Sequence, residues 1–177
     1  MLRGWREIGV AVRSESDLTG TAPTATENTQ TVQDYAVPTG STPQMFSTTD
    51  VQTYPCQGVT GTYTTLRGEF PNVIATRDYA KNPTGQPIVI MVREGQILTI
   101  TSASVTETAT GVAVPLQPTL TSATDAQHMV STSEAIVIPD VPLKQGTSYT
   151  VEIKGDNSGQ SFIRNFTFST TSLGGGI

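Results

Sequence analysis

Apolar and polar positions alternate most regularly over residues 88–170. Ile88-Val89-Ile90-Met91-Val92 is a short continuous apolar run, stopped by the turn-like Arg93-Glu94-Gly95. Residues 97–105 set Ile97, Thr99 and Thr101 against Leu98, Ile100 and Ser102, the period-2 pattern of a half-buried strand. Thr110-Gly111 signals a hairpin, which predicts a strand through Val112, Val114 and Leu116. Ala135-Ile136-Val137-Ile138 is a further strand ending at Pro139. Tyr149, Val151 and Ile153 fall on one face, Asp156-Asn157-Ser158-Gly159 is a turn, and residues 162–168 form the last strand. Phe166 and Phe168 point to one side, where Tyr149 and Ile100 are expected to meet them. Phe162, Asn165 and Thr167 do not fit one simple alternation with Ile163. Strands this short, spaced by about ten residues, predict a two-sheet sandwich.

The stretch Pro142-Leu143-Lys144-Gln145-Gly146-Thr147-Ser148-Tyr149-Thr150-Val151-Glu152-Ile153 resembles the end of a bacterial immunoglobulin-like or fibronectin-like sandwich. In such folds a Tyr at the start of a late strand bonds backbone a few residues upstream and pins a corner. Tyr149 is the expected corner residue.

Upstream the pattern weakens. Ile8, Val10 and Val12 alternate with small residues and predict a strand, but the polar residues 14–31 cannot cover it and are expected to be loop or disordered. Residues 32–37 suggest a short strand, and residues 51–54 another, stopped by Pro55. Residues 58–87 hold Gly61, Gly68, Pro71, Pro83, Gly85 and Pro87 and read as turns and extended linker. The expected organisation is an incomplete, loop-rich first part at 1–55, a Pro/Gly-rich linker at 56–86, a sandwich at 87–171 and a tail at 172–177. Residues before about position 51 are expected to pack poorly or to be held by a partner strand.

Composition supports an all-β reading. Only 14% of residues are charged and 36% hydrophobic, with Thr, Ser, Gly and Pro filling the balance. The net charge is −5, and Lys and Arg are scattered, which argues against nucleic acid as a partner. No apolar run approaches the roughly 20 residues of a membrane-spanning helix, so no membrane insertion is expected. Met1-Leu2-Arg3-Gly4-Trp5-Arg6-Glu7 lacks the apolar core of a signal peptide.

Two segments carry a second resemblance. Arg6-Glu7-Ile8-Gly9-Val10-Ala11-Val12 resembles a late strand of the CAP superfamily, the cysteine-rich secretory, antigen 5 and pathogenesis-related proteins. Tyr54-Pro55-Cys56-Gln57-Gly58-Val59-Thr60-Gly61 and Gly68-Glu69-Phe70-Pro71-Asn72 resemble a segment that follows the core of many bacterial members, except that Val73 stands where they have Pro. Arg164-Asn165-Phe166-Thr167-Phe168-Ser169-Thr170 is similar to the closing strand of bacterial immunoglobulin-like domains. The resemblance implies an all-β immunoglobulin-like sandwich preceded by a remnant of a CAP-type α/β domain. It also implies the C-terminal part of a longer secreted or envelope protein. The family's cavity histidines and acids have no counterpart here, so no functional residue carries over.

No catalytic, metal-binding or cofactor-binding residue set emerges, and no cofactor is expected. His128 is the single histidine, and an Asp125–His128–Ser triad competes with a plain exposed loop histidine. Cys56, the single cysteine, is open to three readings: a buried thiol, a half-cystine to another chain, or a nucleophile. Asp156-Asn157-Ser158-Gly159 lacks calcium-loop spacing, and Asn165-Phe166-Thr167 matches a glycosylation sequon inside a strand. Residues 58–61 and 174–176 are glycine-containing but precede no Lys-bearing helix, so neither is a phosphate loop. Tyr54, Tyr63, Phe70 and Tyr79 either form a sugar-stacking surface or cover the sandwich flank. The function expected is a non-catalytic spacer or adhesion module that meets a protein or glycan at the cell surface. Its alternative is a glycan- or cell-wall-binding module, and a hydrolase is the third.

Overall fold

The computed structural model describes residues 46–66, 72, 74 and 76–172. The expectations for residues 8–12, 14–31 and 32–37, for Phe70 and for the glycine run 174–176 lie outside the described residues. The described part is all-β, with no helix, and its strands form two four-stranded sheets. In chain order they are β1 (Gln52–Tyr54), β2 (Val59–Thr62), β3 (Ile88–Met91), β4 (Leu98–Glu107), β5 (Leu120–Thr121), β6 (Glu134–Val137), β7 (Ser148–Asn157) and β8 (Gln160–Thr170). The first sheet has the order β1-β3-β6-β5 and the second β2-β8-β7-β4. All neighbours are antiparallel except β2, which runs parallel to β8.

The core lies between the sheets. Ile88, Ile90, Ala135 and Val137 from the first sheet meet Leu98, Val105, Tyr149, Val151, Ile153, Phe166 and Phe168 from the second. Tyr149, Val151 and Ile153 are all buried, as their alternation requires. The Tyr149 and Phe168 rings stack with centroids 5.6 Å apart and planes at 27°. Ser158 and Gly159 both have positive φ, 53° and 91°, which is the two-residue turn whose twist matches a β7–β8 hairpin.

Three expectations need correction. Residues 112–116 form no strand. They make isolated bridges, Thr106 with Ala113 on the second sheet and Leu116 with Pro139 on the first. Pro115 sits at this crossing, and the chain uses it to pass from one sheet to the other rather than to extend either.

Residues 56–86 are not a separate linker. Val59–Thr62 is the edge strand β2, and Leu66, Tyr79, Thr84 and Gln86 are buried. Arg77 fastens this segment down. Its Nε donates to Asn82 O (2.6 Å), and its guanidinium pairs with the Asp140 carboxylate (2.6 Å) and donates to Asp140 O (2.7 Å). Gly85 allows the approach, since a Cβ there would lie 2.7 Å from Pro139 Cβ. The sandwich therefore starts at β1, not at residue 87.

Phe162 does obey the alternation. Phe162, Arg164, Phe166, Phe168 and Thr170 share the inward side of β8, and Ile163, Asn165, Thr167 and Ser169 share the outward side. Phe162 is only half-buried because it lies across Gly155. A Cβ on Gly155 would meet the Phe162 ring at 2.8 Å and also the Thr99 carbonyl oxygen.

Candidate functional site

The corner at Tyr149 is structural and tightly bonded. Tyr149 is 1% exposed, and its hydroxyl oxygen accepts a hydrogen bond from Lys144 N at 2.7 Å. The other side of that corner is held by Thr170, whose Oγ1 donates to Lys144 O (2.6 Å) and accepts from Thr147 N (3.1 Å). The Lys144 ammonium reaches back to Glu107, which also accepts from Thr110 Oγ1. That Lys144 hydrogen bond holds the Glu107 carboxyl below its ordinary value, and Glu107 in turn raises Lys144. Burial pushes the Tyr149 phenol up. Thr170 and Glu107 carried no sequence signal, because they stand 26 and 37 residues from Lys144 and belong to ordinary strand alternation.

His128 and Asp125 do not form a relay. His128 is exposed with φ 54°, while Asp125 is buried. The Asp125 carboxylate accepts from Gln127 N (2.9 Å), Met129 N (2.5 Å) and Val130 N (2.9 Å), so both oxygens brace the loop. Burial raises its pKa, but these three amides outweigh burial and hold it below the usual carboxylate range. Asp156 serves its turn, accepting from Gly159 N at 2.5 Å. Among the described residues, no three His, Cys, Asp or Glu side chains gather as a metal site.

Cys56 is exposed, which corrects the buried-thiol reading. Its position explains this: it follows Pro55 at the step between β1 and β2, outside both sheets, with its thiol 3.1 Å from Thr53 O. The four aromatics divide. Tyr79 is buried at 4% exposure and covers the flank, whereas Tyr54 and Tyr63 remain 43% and 44% exposed.

Among the described residues, two depressions bear on a site. One, about 230 Å³, lies beside β5 against Ile74, Pro118, Leu120 and Gln127. The other, about 350 Å³, lies between β1 and β8, lined by Val51, Thr53, Cys56, Gln57, Arg164 and Phe166. It exists because the chain changes sheets there. β1 pairs with β3, and after four intervening residues β2 joins β8. Gln57 makes the join: its amide oxygen accepts from Thr167 N (2.9 Å) and its Nε2 donates to Thr167 Oγ1 (3.1 Å). Gly58 N then donates to Thr167 O (2.7 Å), with Gly58 at φ 76°, a region open to glycine. Arg164 and Asn165 at the rim are exposed. This second depression brings a cation, side-chain amides and the apolar Val51 and Phe166 together. No helix long and apolar enough to cross a membrane occurs among the described residues. Compared with known proteins, the chain matches no family model and no curated sequence.

Proposed function

We propose that the described sandwich is an immunoglobulin-like module with a non-catalytic role, a spacer or adhesion-type unit of a secreted or envelope protein of the CAP type. The observation that carries this is the strand order. With β1, β3, β4, β5, β6, β7 and β8 lettered A to G, the first sheet is A-B-E-D and the second is G-F-C. Constant-type immunoglobulin domains have this order, which supports the reading; here β2 is added beside G. A corner tyrosine at the start of strand F, bonded five residues upstream, supports the same reading.

The test of the role is adhesion. Beads coated with the chain should bind cell surfaces or cell-wall material and release no hydrolysis product. A hydrolytic activity abolished by His128→Ala would overturn the non-catalytic reading. The CAP relationship is tested by the DNA upstream of the Met1 codon, which should encode, in frame, a signal peptide and two cavity histidines. The exposed Tyr54 and Tyr63 favour a glycan as the surface partner. Glycan-array binding that disappears with Tyr63→Ala would select that version.

A further inference from the structure

β8 outruns its neighbour. β2 pairs with it only from Phe168 to Thr170, and Gln57 and Gly58 take the outward N–H and C=O of Thr167. Beyond that point no strand among the described residues pairs with this edge. In an antiparallel hairpin with a two-residue turn, the pair flanking the turn exchanges both its hydrogen bonds, and every second pair does likewise. Asn157 and Gln160 flank this turn. Gln160, Phe162, Arg164 and Phe166 therefore address β7, while Ser161, Ile163 and Asn165 direct their N–H and C=O groups away from it. The outward bonds made by Thr167 fit the same phase. Ser161, Ile163 and Asn165 make no backbone bond on that side among the described residues.

Two side chains define what this edge would accept. Arg164 lies on the inward side of β8, lines the depression facing Val51 and Thr53, and makes no ion pair among the described residues. A guanidinium presents a planar fork that matches a carboxylate. Ile163, on the outward side, is a large apolar side chain that is 59% exposed.

We propose that this edge is a docking groove for an extended segment of another protein, one that alternates acidic and β-branched apolar residues and adds to β8 as a further strand. The alternation follows from the pleat: residues of an added strand beside Arg164 face the groove, and those beside Ile163 face out. Bonds from the segment's backbone to Ser161, Ile163 and Asn165 would supply affinity, and the carboxylate at Arg164 selectivity. A second copy of this chain is a poorer occupant. Antiparallel self-pairing about Ile163 sets the two Arg164 side chains at diagonal positions on one face, where like charges repel. The proposal rests on strand pairing and charge alone, so it stands independently of the immunoglobulin-like reading.

The test is fluorescence anisotropy with short labelled peptides alternating Val with Glu, Gln or Lys, at about 0.15 M salt. The Val/Glu peptide should bind about tenfold more tightly than Val/Gln. Arg164→Glu should invert the preference toward Val/Lys. N-methylation of alternate peptide residues should abolish binding, because the backbone bonds are lost. Binding should also slow alkylation of Cys56, which lines the groove. Ile163→Pro should block docking while sparing the β7 ladder, since the N–H it removes points outward. If that variant fails to fold, the N-methylated peptide still decides. Absence of binding up to about 1 mM peptide, equal affinity for Val/Glu and Val/Gln, or indifference to Arg164→Glu would overturn the proposal. Self-association of the chain that Ile163→Pro abolishes would also overturn it, by assigning the edge to a second copy.

Discussion

Replacing Tyr149 by Phe removes one oxygen atom from a side chain that is 1% exposed. The ring, and its stacking on Phe168 at 5.6 Å, remain. What is lost is the acceptor 2.7 Å from Lys144 N. A protein hydrogen bond contributes about 1 kcal/mol net, and an amide left without an acceptor costs about 1–3 kcal/mol. Lys144 itself is exposed, so water can reach the corner, and the lower end applies: about 1–1.5 kcal/mol. Tyr149→Ala also empties a fully buried ring site, and large aromatic truncations of that kind cost about 3–5 kcal/mol. Urea denaturation reads both. With a slope of about 1.5 kcal/mol/M, the Phe variant should unfold about 0.7–1 M earlier and the Ala variant more than about 2 M earlier, at unchanged slope. Thr170→Val removes the hydroxyl that holds Lys144 O. Its effect should be smaller in the Tyr149→Phe background, because the two hydroxyls fasten consecutive peptide groups of the same residue and neighbouring effects couple. A Tyr149→Phe midpoint equal to wild type would refute the assigned role.

Gly155→Ala should destabilise by about 2–3 kcal/mol in thermal melts, since the new methyl meets the Thr99 backbone as well as the movable Phe162 ring; a neutral result would show that β4 shifts freely. Arg77→Met should lower stability by about 2–3 kcal/mol and speed proteolysis across residues 76–83, because Asp140 loses its cation, keeping the Gln117 amide, and the segment loses its clamp; unchanged cleavage would deny the clamp. A segment restricted to residues 87–172 lacks β1 and β2 and should melt lower and aggregate sooner than one spanning 46–172, since the edges of β3 and β8 are uncovered; equal melting would restore 56–86 as a linker. Stability should also fall in acid. Lys144 hydrogen bonding, three loop amides and Arg77 hydrogen bonding set the folded pKa values of Glu107, Asp125 and Asp140 below their unfolded values. The unfolded chain then binds more protons, so stability is full above the ordinary carboxyl values of 4.5 and 3.8 and is lost as pH drops through the lower folded ones. Glu107→Gln or Asp140→Asn should flatten the acid limb, and an acid limb unchanged in both would count against these contacts.

Much of the sandwich was legible locally. The apolar run at Ile88, the alternations at Leu98 and Tyr149, and the Ser158-Gly159 turn each depend on residues within about ten positions, where side-chain period and turn chemistry act directly. Tyr149 was legible for the same reason, since its partner stands only five residues upstream. What escaped was non-local. β2 has four residues, one of them Gly61, too few to show a period, and it becomes a strand because β8, more than a hundred residues away, offers an open edge. Arg77 reads as one more scattered cation until folding brings Asp140, 63 residues on, against it. Phe162 breaks no alternation once Gly155 is known to leave room for its ring. The groove between β1 and β8 is likewise a product of the tertiary structure. Its walls are Val51 to Gln57 on one side and Arg164 to Phe166 on the other, and only the change of sheet at Pro55 brings them together. Sequence alone determined β1, β3, β4, β6, β7 and β8 as strands, but neither β2 nor β5. Which edges stayed uncovered, and which charges faced them, depended on long-range pairing that no local pattern encodes.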